Sequence, residues 1–180
     1  MKVDTIERIL AQRTCGGDAG AFSEWIELHW LRLVGFARSV VGDSDAEDIV
    51  QDSLVVAWDK RSALREPEAL KAWVLKIVFR ACLRRKRRLW RFLPLGLLLE
   101  ADHPSQPADT ESVEVERILG MLPPAQRAVM HLTYLEGMSD SEIGLALGIA
   151  AASVRSHRRR ARESLQRVLR QTEVPSHARA

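Results

Sequence analysis

The stretch that decides the fold is 139–162, SDSEIGLALGIAAASVRSHRRRAR. Its first residues include Ser139 and Glu142 at the spacing of a capping box, in which each side chain accepts a hydrogen bond from the other residue's backbone N–H. Gly148 is well placed to end that short helix in a left-handed conformation, and a longer, basic helix is predicted from about Ala151. A capped short helix, a glycine turn and a basic helix together predict a helix-turn-helix.

The second helix of this motif, predicted to end near Arg170, separates an apolar face from a basic one. The apolar face is Val154, Ala161, Leu165 and Val168, and the opposite face is Arg155, Ser156, Arg159 and Arg160. Arginine suits DNA recognition because its planar fork bonds both acceptors of a guanine or clamps phosphates. Since recognition helices point their N-terminal part into the groove, we expect Arg155, Ser156 and Arg159 at base edges. Residues nearer the boundary of the two faces, suited to phosphate contact or to solubility alone, are His157, Arg158 and Arg162.

A basic helix end on its own is more often a solvated face than a binding site. The capped helix and glycine turn directly before it favour DNA binding instead.

The rest of the chain is also predicted to be helical, because spacings of three and four recur and strand alternation is nearly absent. The predicted helices cover 5–12, 18 or 19 to 41, 44 to 58 or 59, 67 to about 88, 111–119 and about 122–137. Three prolines and one glycine in segment 92–110 predict an inter-domain linker, whose apolar first part, 92–99, suggests that it docks on another surface. The expected fold is all-α, with small helical domains over 1–91 and 111–180.

Charge is distributed unevenly, although the net charge is only +3. Six acids and no base lie from Asp43 to Asp59, and seven bases and no acid lie from Arg80 to Arg91. Helical periodicity gathers Asp45, Asp48, Asp52 and Asp59 into an acidic stripe opposite an apolar face. A solvated face is the simpler interpretation of such a stripe, and a docking site for a basic protein is the functional one. Segregated charge favours at least two partners of opposite sign.

The predicted fourth helix ends in a basic cluster, which comprises Arg80, Arg84, Arg85, Lys86, Arg87 and Arg88. Alone, such a cluster would attract any polyanion, including RNA or an acidic membrane. Trp73, near the start of the same helix, favours a surface that follows a nucleic-acid backbone, because an aromatic ring beside a basic groove can stack on an unpaired base. The other tryptophans are expected in the core.

Several function classes are disfavoured. Cys15 and Cys82 lack CxxC spacing and the five histidines lack ligand spacing, so we expect neither a disulfide framework nor a metal site. No phosphate loop or nucleophile motif is present, so we expect no enzyme and no cofactor. The N-terminal stretch is polar, and the longest apolar run, 92–99, is too short to cross a membrane. These two features predict a cytoplasmic protein without membrane insertion.

Three blocks of sequence carry a resemblance to a known family. They are DAEDIVQDSLVVAW from Asp45, the weaker WVLKIVFRACLRRKRR from Trp73, and LPPAQRAVMHLTYLEGMSDSEIGLALGI from Leu122 followed by SVRSHRRRARESL to Leu165. With these blocks in this order, the chain resembles the extracytoplasmic-function (ECF) group of the bacterial sigma-70 family from about Phe22 to Leu169. Such sigma factors consist of two helical domains and a linker.

The resemblance implies an alternative sigma factor that binds core RNA polymerase and directs promoter-specific transcription initiation. Region 2 would be 1–91 and region 4 would be 111–180. The residues that would bind the clamp helices of the largest polymerase subunit are Asp45, Glu47, Asp48, Gln51 and Asp52. Those that would contact the −10 element are Lys60, Arg61, Ser62, Arg65, Lys71, Trp73, Lys76, Arg80, Arg84, Arg85, Arg87 and Arg88. Those that would contact the −35 element are Arg155, Ser156, His157, Arg158, Arg159, Arg160 and Arg162.

The resemblance also implies further partners and some departures. The polymerase flap would hold region 4, the linker would thread toward the active site, and an anti-sigma factor, in some cases membrane-bound, would hold activity off. Arg80 and Arg84 stand where Asn and Asp are frequent, which predicts an unusual −10 preference. Ala150 stands where Ser or Thr often caps the recognition helix, at a cost of about 1 kcal/mol that Ser153 partly offsets.

Two other function classes remain open from the residues. One is a stand-alone helix-turn-helix regulator that binds duplex DNA by itself, and the other is an adaptor that binds polymerase but not DNA. The acidic stripe argues against the first class, and the arginine face argues against the second.

Overall fold

The computed structural model describes residues 2–92 and 119–172, and these ranges contain helices and no strand. The helices are α1 (Lys2–Cys15), α2 (Ala19–Val41), α3 (Ala46–Asp59), α4 (Leu70–Phe92), α5 (Pro124–Tyr134), α6 (Asp140–Leu147) and α7 (Ala151–Thr172), with 3-10 turns at Arg61–Ala63 and Pro67–Ala69. The predicted all-α class is confirmed. Of the predicted linker only Phe92 is described, as the last residue of α4. The remaining linker residues and the predicted helix up to 118 lie outside the described residues, and the domain boundaries stay a prediction.

Helix α2 is the central helix of the first half. Trp25, Leu33 and Phe36 are buried along it, and it packs against α1, α3 and α4. Its start is set by Asp18, whose carboxylate accepts a hydrogen bond from the Ala21 N–H at 3.0 Å. The boundaries predicted for this helix are confirmed.

The predicted capping box at Ser44 is wrong. The residue that precedes α3 is Asp45, and its side chain makes no capping bond. Asp45 instead accepts hydrogen bonds from Arg85 of α4 at 2.9 and 2.7 Å. Glu47, the expected partner of Ser44, accepts a hydrogen bond from Arg38 of α2 at 2.9 Å. Ion pairs between helices have replaced the local cap.

Other boundaries differ by a few residues. Helix α1 is longer than the predicted 5–12, and Pro67 begins a 3-10 turn before α4 instead of α4 itself. Helix α4 continues past Arg88 to Phe92, and α5 ends at Tyr134, before the predicted stop at Gly137.

The predicted helix-turn-helix is confirmed in α6 and α7. The Ser139 hydroxyl accepts a hydrogen bond from the Glu142 N–H at 3.3 Å, and the Glu142 carboxylate accepts one from the Ser139 N–H at 2.8 Å. Hydrogen bonds from the Ser139 side chain and backbone lower the pKa of Glu142. Gly148 ends α6 in the left-handed conformation, at φ 71°. Gly144 lets the turn approach α6, because a Cβ there would lie 2.8 Å from the carbonyl oxygen of Ile149.

The two halves of the described chain pack against each other and share one hydrophobic cluster. Helix α6 lies against α4, and α5 lies against α2. Between α2 and α5, the rings of Phe36 and His131 meet edge to face with centroids 5.7 Å apart. We refer to the α2–α5 and α4–α6 contacts as the inter-half interface. It brings the helix-turn-helix onto α4.

Candidate nucleic-acid interface

Helix α7 presents an arginine face to solvent. Val154 and Ala161 are fully buried on its inner side, where α7 packs against α5 and α6. On the outer side the Arg155 and Arg159 side chains are 60% and 70% exposed, and Arg160 is also exposed. The core side of α7 therefore holds these three guanidinium groups on a rigid helical support.

The remaining predicted −35 residues have other surroundings. Arg158 donates hydrogen bonds to both carboxylate oxygens of Asp140 on α6, at 2.5 and 3.2 Å. Arg162 donates from Nε to the Tyr134 hydroxyl at 2.8 Å, and its guanidinium carbon lies 5.6 Å from the Tyr134 ring centroid. Ser156 and His157 are half-buried. The structure thus gives Arg158 and Arg162 protein partners that the sequence did not indicate.

Helix α3 carries the predicted polymerase-binding residues on its outer side. Its inner side is buried through Ile49, Val50, Leu54 and Ala57. Of the predicted polymerase-binding residues, Glu47, Asp48, Gln51 and Asp52 are exposed. Asp45 was predicted to act with them, but its carboxylate accepts hydrogen bonds from Arg85, a residue predicted to contact the −10 element. These two predicted site residues therefore pair with each other in this arrangement.

The predicted −10 loop after α3 contains one residue with strong protein contacts. The Arg61 guanidinium carbon lies 3.9 Å from the centroid of the Trp58 ring, and Arg61 donates a hydrogen bond to the Trp58 carbonyl at 2.8 Å. The other predicted −10 residues of this loop, Lys60, Ser62 and Arg65, are exposed. The loop therefore presents these polar side chains beside one stacked arginine.

On α4, part of the predicted −10 surface faces the second half of the chain. Lys71 Nζ lies 3.2 Å from a carboxylate oxygen of Glu136. Lys76 Cε and Arg80 Nη2 lie 3.0 and 3.9 Å from the point that a Cβ on Gly148 would occupy. Trp73 is half-buried and packs against the core. The exposed predicted −10 residues toward the end of the helix are Arg84, Arg87 and Arg88. The second half thus lies against Lys71, Lys76 and Arg80.

Three titratable groups at or near the inter-half interface were not singled out from the sequence. The Glu136 side chain is only 7% exposed and also lies 3.9 Å from Nη1 of Arg32. Burial lowers the pKa of His131, against the opposing effect of Glu136. Burial likewise lowers the pKa of His29, which lies 3.0 Å from a carboxylate oxygen of Glu7. No local pattern marks such residues, because Lys71 and Glu136 are 65 positions apart.

Metal binding, membrane insertion and thiol chemistry were also considered for the described ranges. Residues 2–92 and 119–172 hold no group of His, Cys, Asp and Glu suited to a metal ion. None of the helices in these ranges has the length and apolar character needed to cross a membrane. Burial raises the pKa of Cys82 to about 12, so that its thiol stays protonated at neutral pH.

The structure is that of a helix-turn-helix protein in which a helical unit, residues 2–92, precedes the motif in the chain. Two protein families match the two parts. Residues 25–92 match sigma-70 region 2, and residues 112–165 match sigma-70 region 4.

Individual proteins give the same result. The ECF RNA polymerase sigma factor SigM of Mycobacterium tuberculosis is 34% identical over 85% of this chain and 79% of SigM. The structure of CnrH in complex with the cytosolic domain of CnrY superposes with a TM-score of 0.70 at 30% identity, over 92% of this chain and 98% of CnrH. The sigma factor RpoE of Bartonella quintana, in complex with the anti-sigma factor NepR, gives a TM-score of 0.66 at 27% identity, over 86% and 98%. The chain belongs to the sigma-70 family of RNA polymerase sigma factors, in its ECF group.

Proposed function

We propose that this chain is an alternative sigma factor that binds core RNA polymerase through α3 and positions promoter DNA on α4 and α7. The observation that carries the proposal is the presence, in one molecule, of an exposed arginine face on a helix-turn-helix and an exposed acidic face on α3. The first suits DNA, and the second suits a basic protein surface. The chain makes and breaks no bond in this role, since the polymerase makes the RNA.

Recognition of the −35 element is assigned to α7. Arg155 and Arg159 are exposed, lie in the first half of the helix, and carry the donors that read guanine in the major groove. Arg160 adds charge on the same side of the helix. Arg158 was predicted to suit a phosphate contact, but its two hydrogen bonds to Asp140 argue against that role.

Capture of the −10 element is assigned to the loop after α3 and to α4. The exposed arginines Arg84, Arg87 and Arg88 are free to bind phosphates in the arrangement described. Lys71, Lys76 and Arg80 lie against the second half of the chain. Arg80 stays exposed, whereas Lys71 and Lys76 are half-buried. Full use of the two lysines on DNA therefore requires the two halves to move apart, which places opening before promoter binding in the proposed cycle.

Binding to core polymerase is assigned to the exposed acids of α3. Asp48 and Asp52 are exposed and make no hydrogen bond or ion pair among the described residues, although Arg85 exerts an electrostatic attraction on Asp48. Both carboxylates are therefore accessible to a basic partner. We place them against the clamp helices of the largest polymerase subunit, and α5 to α7 near the flap.

An anti-sigma factor is the proposed regulator. Similar proteins have been solved with such a partner, as the complex of RpoE with NepR illustrates. The complex of CnrH holds only the cytosolic domain of its partner, and this supports a membrane-bound regulator as one form that the partner takes. The site of action of this chain is then the cytoplasm.

The test is formation of a holoenzyme by the purified chain and sigma-free core polymerase. We expect the two to co-elute in gel filtration, and we expect Asp48→Lys to weaken binding by about tenfold or more, because like charges then meet at the interface. Glu24→Lys makes the same charge change on an exposed position of α2 and should bind as the wild type does. A wild-type chain that does not bind core contradicts the proposal, whereas normal binding by Asp48→Lys contradicts only the role of α3.

A stand-alone regulator is the second candidate, favoured by the exposed face of α7. It predicts specific binding to duplex DNA without polymerase. We expect the free chain to bind DNA poorly, since its two DNA-binding surfaces need the polymerase to set their separation.

A further inference from the structure

Asp140 connects the two helices of the helix-turn-helix. It is the first residue of α6, and its carboxylate binds both terminal nitrogens of Arg158 on α7. The same carboxylate also lies near Arg155, whose Nη1 is 3.8 Å from Oδ2 of Asp140. One carboxylate thus engages two arginines of the recognition helix, at the N-terminal end of α6 where the helix dipole favours a negative charge.

The Asp140–Arg158 pair is more than a loose surface contact. The side chains of Asp140 and Arg158 are 22% and 25% exposed, and two parallel hydrogen bonds fix the guanidinium plane. Gly144, one turn further along α6, allows the close approach of the turn that leads into α7. The close packing of the turn keeps the helices that carry Asp140 and Arg158 next to each other.

The two arginines differ in what remains available to DNA. Arg158 donates one hydrogen bond from each terminal nitrogen to Asp140, whose negative charge offsets that of the guanidinium and so weakens its attraction for a phosphate. Arg155 is 60% exposed and its Nη1 lies 3.8 Å from Oδ2 of Asp140, so the carboxylate attracts its guanidinium on the outer side of α7 without a hydrogen bond to its donors.

We propose that Asp140 is a positioning residue for −35 recognition, which withdraws Arg158 from the DNA and holds Arg155 on the groove-facing side of α7. This inference rests on the proposed sigma-factor function. Without Asp140, two mobile arginines would lie beside the DNA, where they would bind phosphates of any sequence.

The experiment uses holoenzymes of the full chain with core polymerase, and it measures two quantities. One is the ratio of transcription from the best and the worst −35 sequences in a library, and the other is the slope of promoter affinity against salt. In Asp140→Asn we expect the ratio to fall about fivefold or more, because the orientation of a base-reading arginine is lost. We expect the salt slope to steepen by about 0.9, because Arg158 gains a phosphate. Glu24→Gln removes a negative charge from α2 and should change neither quantity.

Arg158→Met tests the same geometry independently. If Asp140 holds Arg158 off the DNA, this variant keeps the wild-type salt slope, whereas a phosphate-binding Arg158 predicts a slope shallower by about 0.9. A shallower slope in Arg158→Met, or an unchanged −35 ratio in Asp140→Asn, overturns the role of Asp140 while the sigma-factor function stands. A wild-type chain that supports no transcription contradicts that function, and the role of Asp140 with it.

Discussion

At the scale of single residues, His131 illustrates how burial sets protonation. Its imidazole packs on Phe36, and its Cε1 lies 3.8 Å from the point that a Cβ on Gly35 would occupy. Burial lowers the pKa of the ring, while the carboxylate of Glu136 acts in the opposite direction. The fold therefore favours the neutral imidazole.

We predict that this histidine makes stability depend on pH. Its folded pKa lies below the reference value of 6.5, so its contribution is fully present above that value and is lost as the pH falls through the folded pKa. Urea unfolding at about pH 7.5 and about pH 5.5 should show a larger loss of stability for the wild type than for His131→Leu. Equal losses would contradict the assignment.

Some features of single residues could be predicted from the sequence and others could not. The exposure of Arg155 and Arg159 follows from helical periodicity, because their apolar neighbours Val154 and Ala161 must face the core. The partner of Arg158 does not follow, since Asp140 lies on another helix, 18 positions away. Tertiary ion pairs of this kind have no local signature.

At the scale of elements, the helix-turn-helix could be predicted and the start of α3 could not. The cap at Ser139 and the stop at Gly148 are local, and both form as predicted. The same spacing at Ser44 fails, because Glu47 is taken by Arg38 of α2. A capping box therefore predicts well only where no strong tertiary partner competes.

We predict that Gly144 is required for the packing of the turn on α6. In Gly144→Ala the new Cβ would meet the Ile149 carbonyl, so the backbone must shift and stability should fall by about 1–3 kcal/mol in chemical denaturation. Leu145→Ala changes an adjacent side chain that is 67% exposed, and it should cost less than about 0.5 kcal/mol. Equal effects of the two variants would show that the close approach of the turn to Gly144 does not contribute to stability.

At the scale of the whole molecule, the sequence predicted two helical units and their order but not their contact. The inter-half interface depends on residues without pattern, such as Glu136, and on Gly148, where a Cβ would lie only 3.0 Å from Cε of Lys76. It brings the second half against Lys71 and Lys76 of α4, which are half-buried there. If α4 captures the −10 element as proposed, the packed arrangement limits the use of these two lysines on DNA.

We predict that Glu136→Gln shifts the chain toward an open arrangement. The substitution weakens the contacts with Lys71 and Arg32 across the interface, at a cost of about 1–3 kcal/mol. Small-angle scattering should show a larger radius of gyration, and single-stranded −10 DNA should bind more tightly. Glu24→Gln, on the exposed side of α2, serves as the matched control. No change in either measurement would mean that Glu136 does not hold the halves together.

The most direct test of the central claim is run-off transcription by sigma-free core polymerase supplemented with this chain, on a library of promoters. The account predicts transcripts that start at a subset of promoters sharing both a −10 and a −35 sequence. It also predicts that Arg159→Ala weakens use of particular −35 sequences, by about 1–3 kcal/mol. Absence of transcription by the reconstituted holoenzyme, or equally strong and specific binding of the free chain to duplex DNA without polymerase, would contradict it.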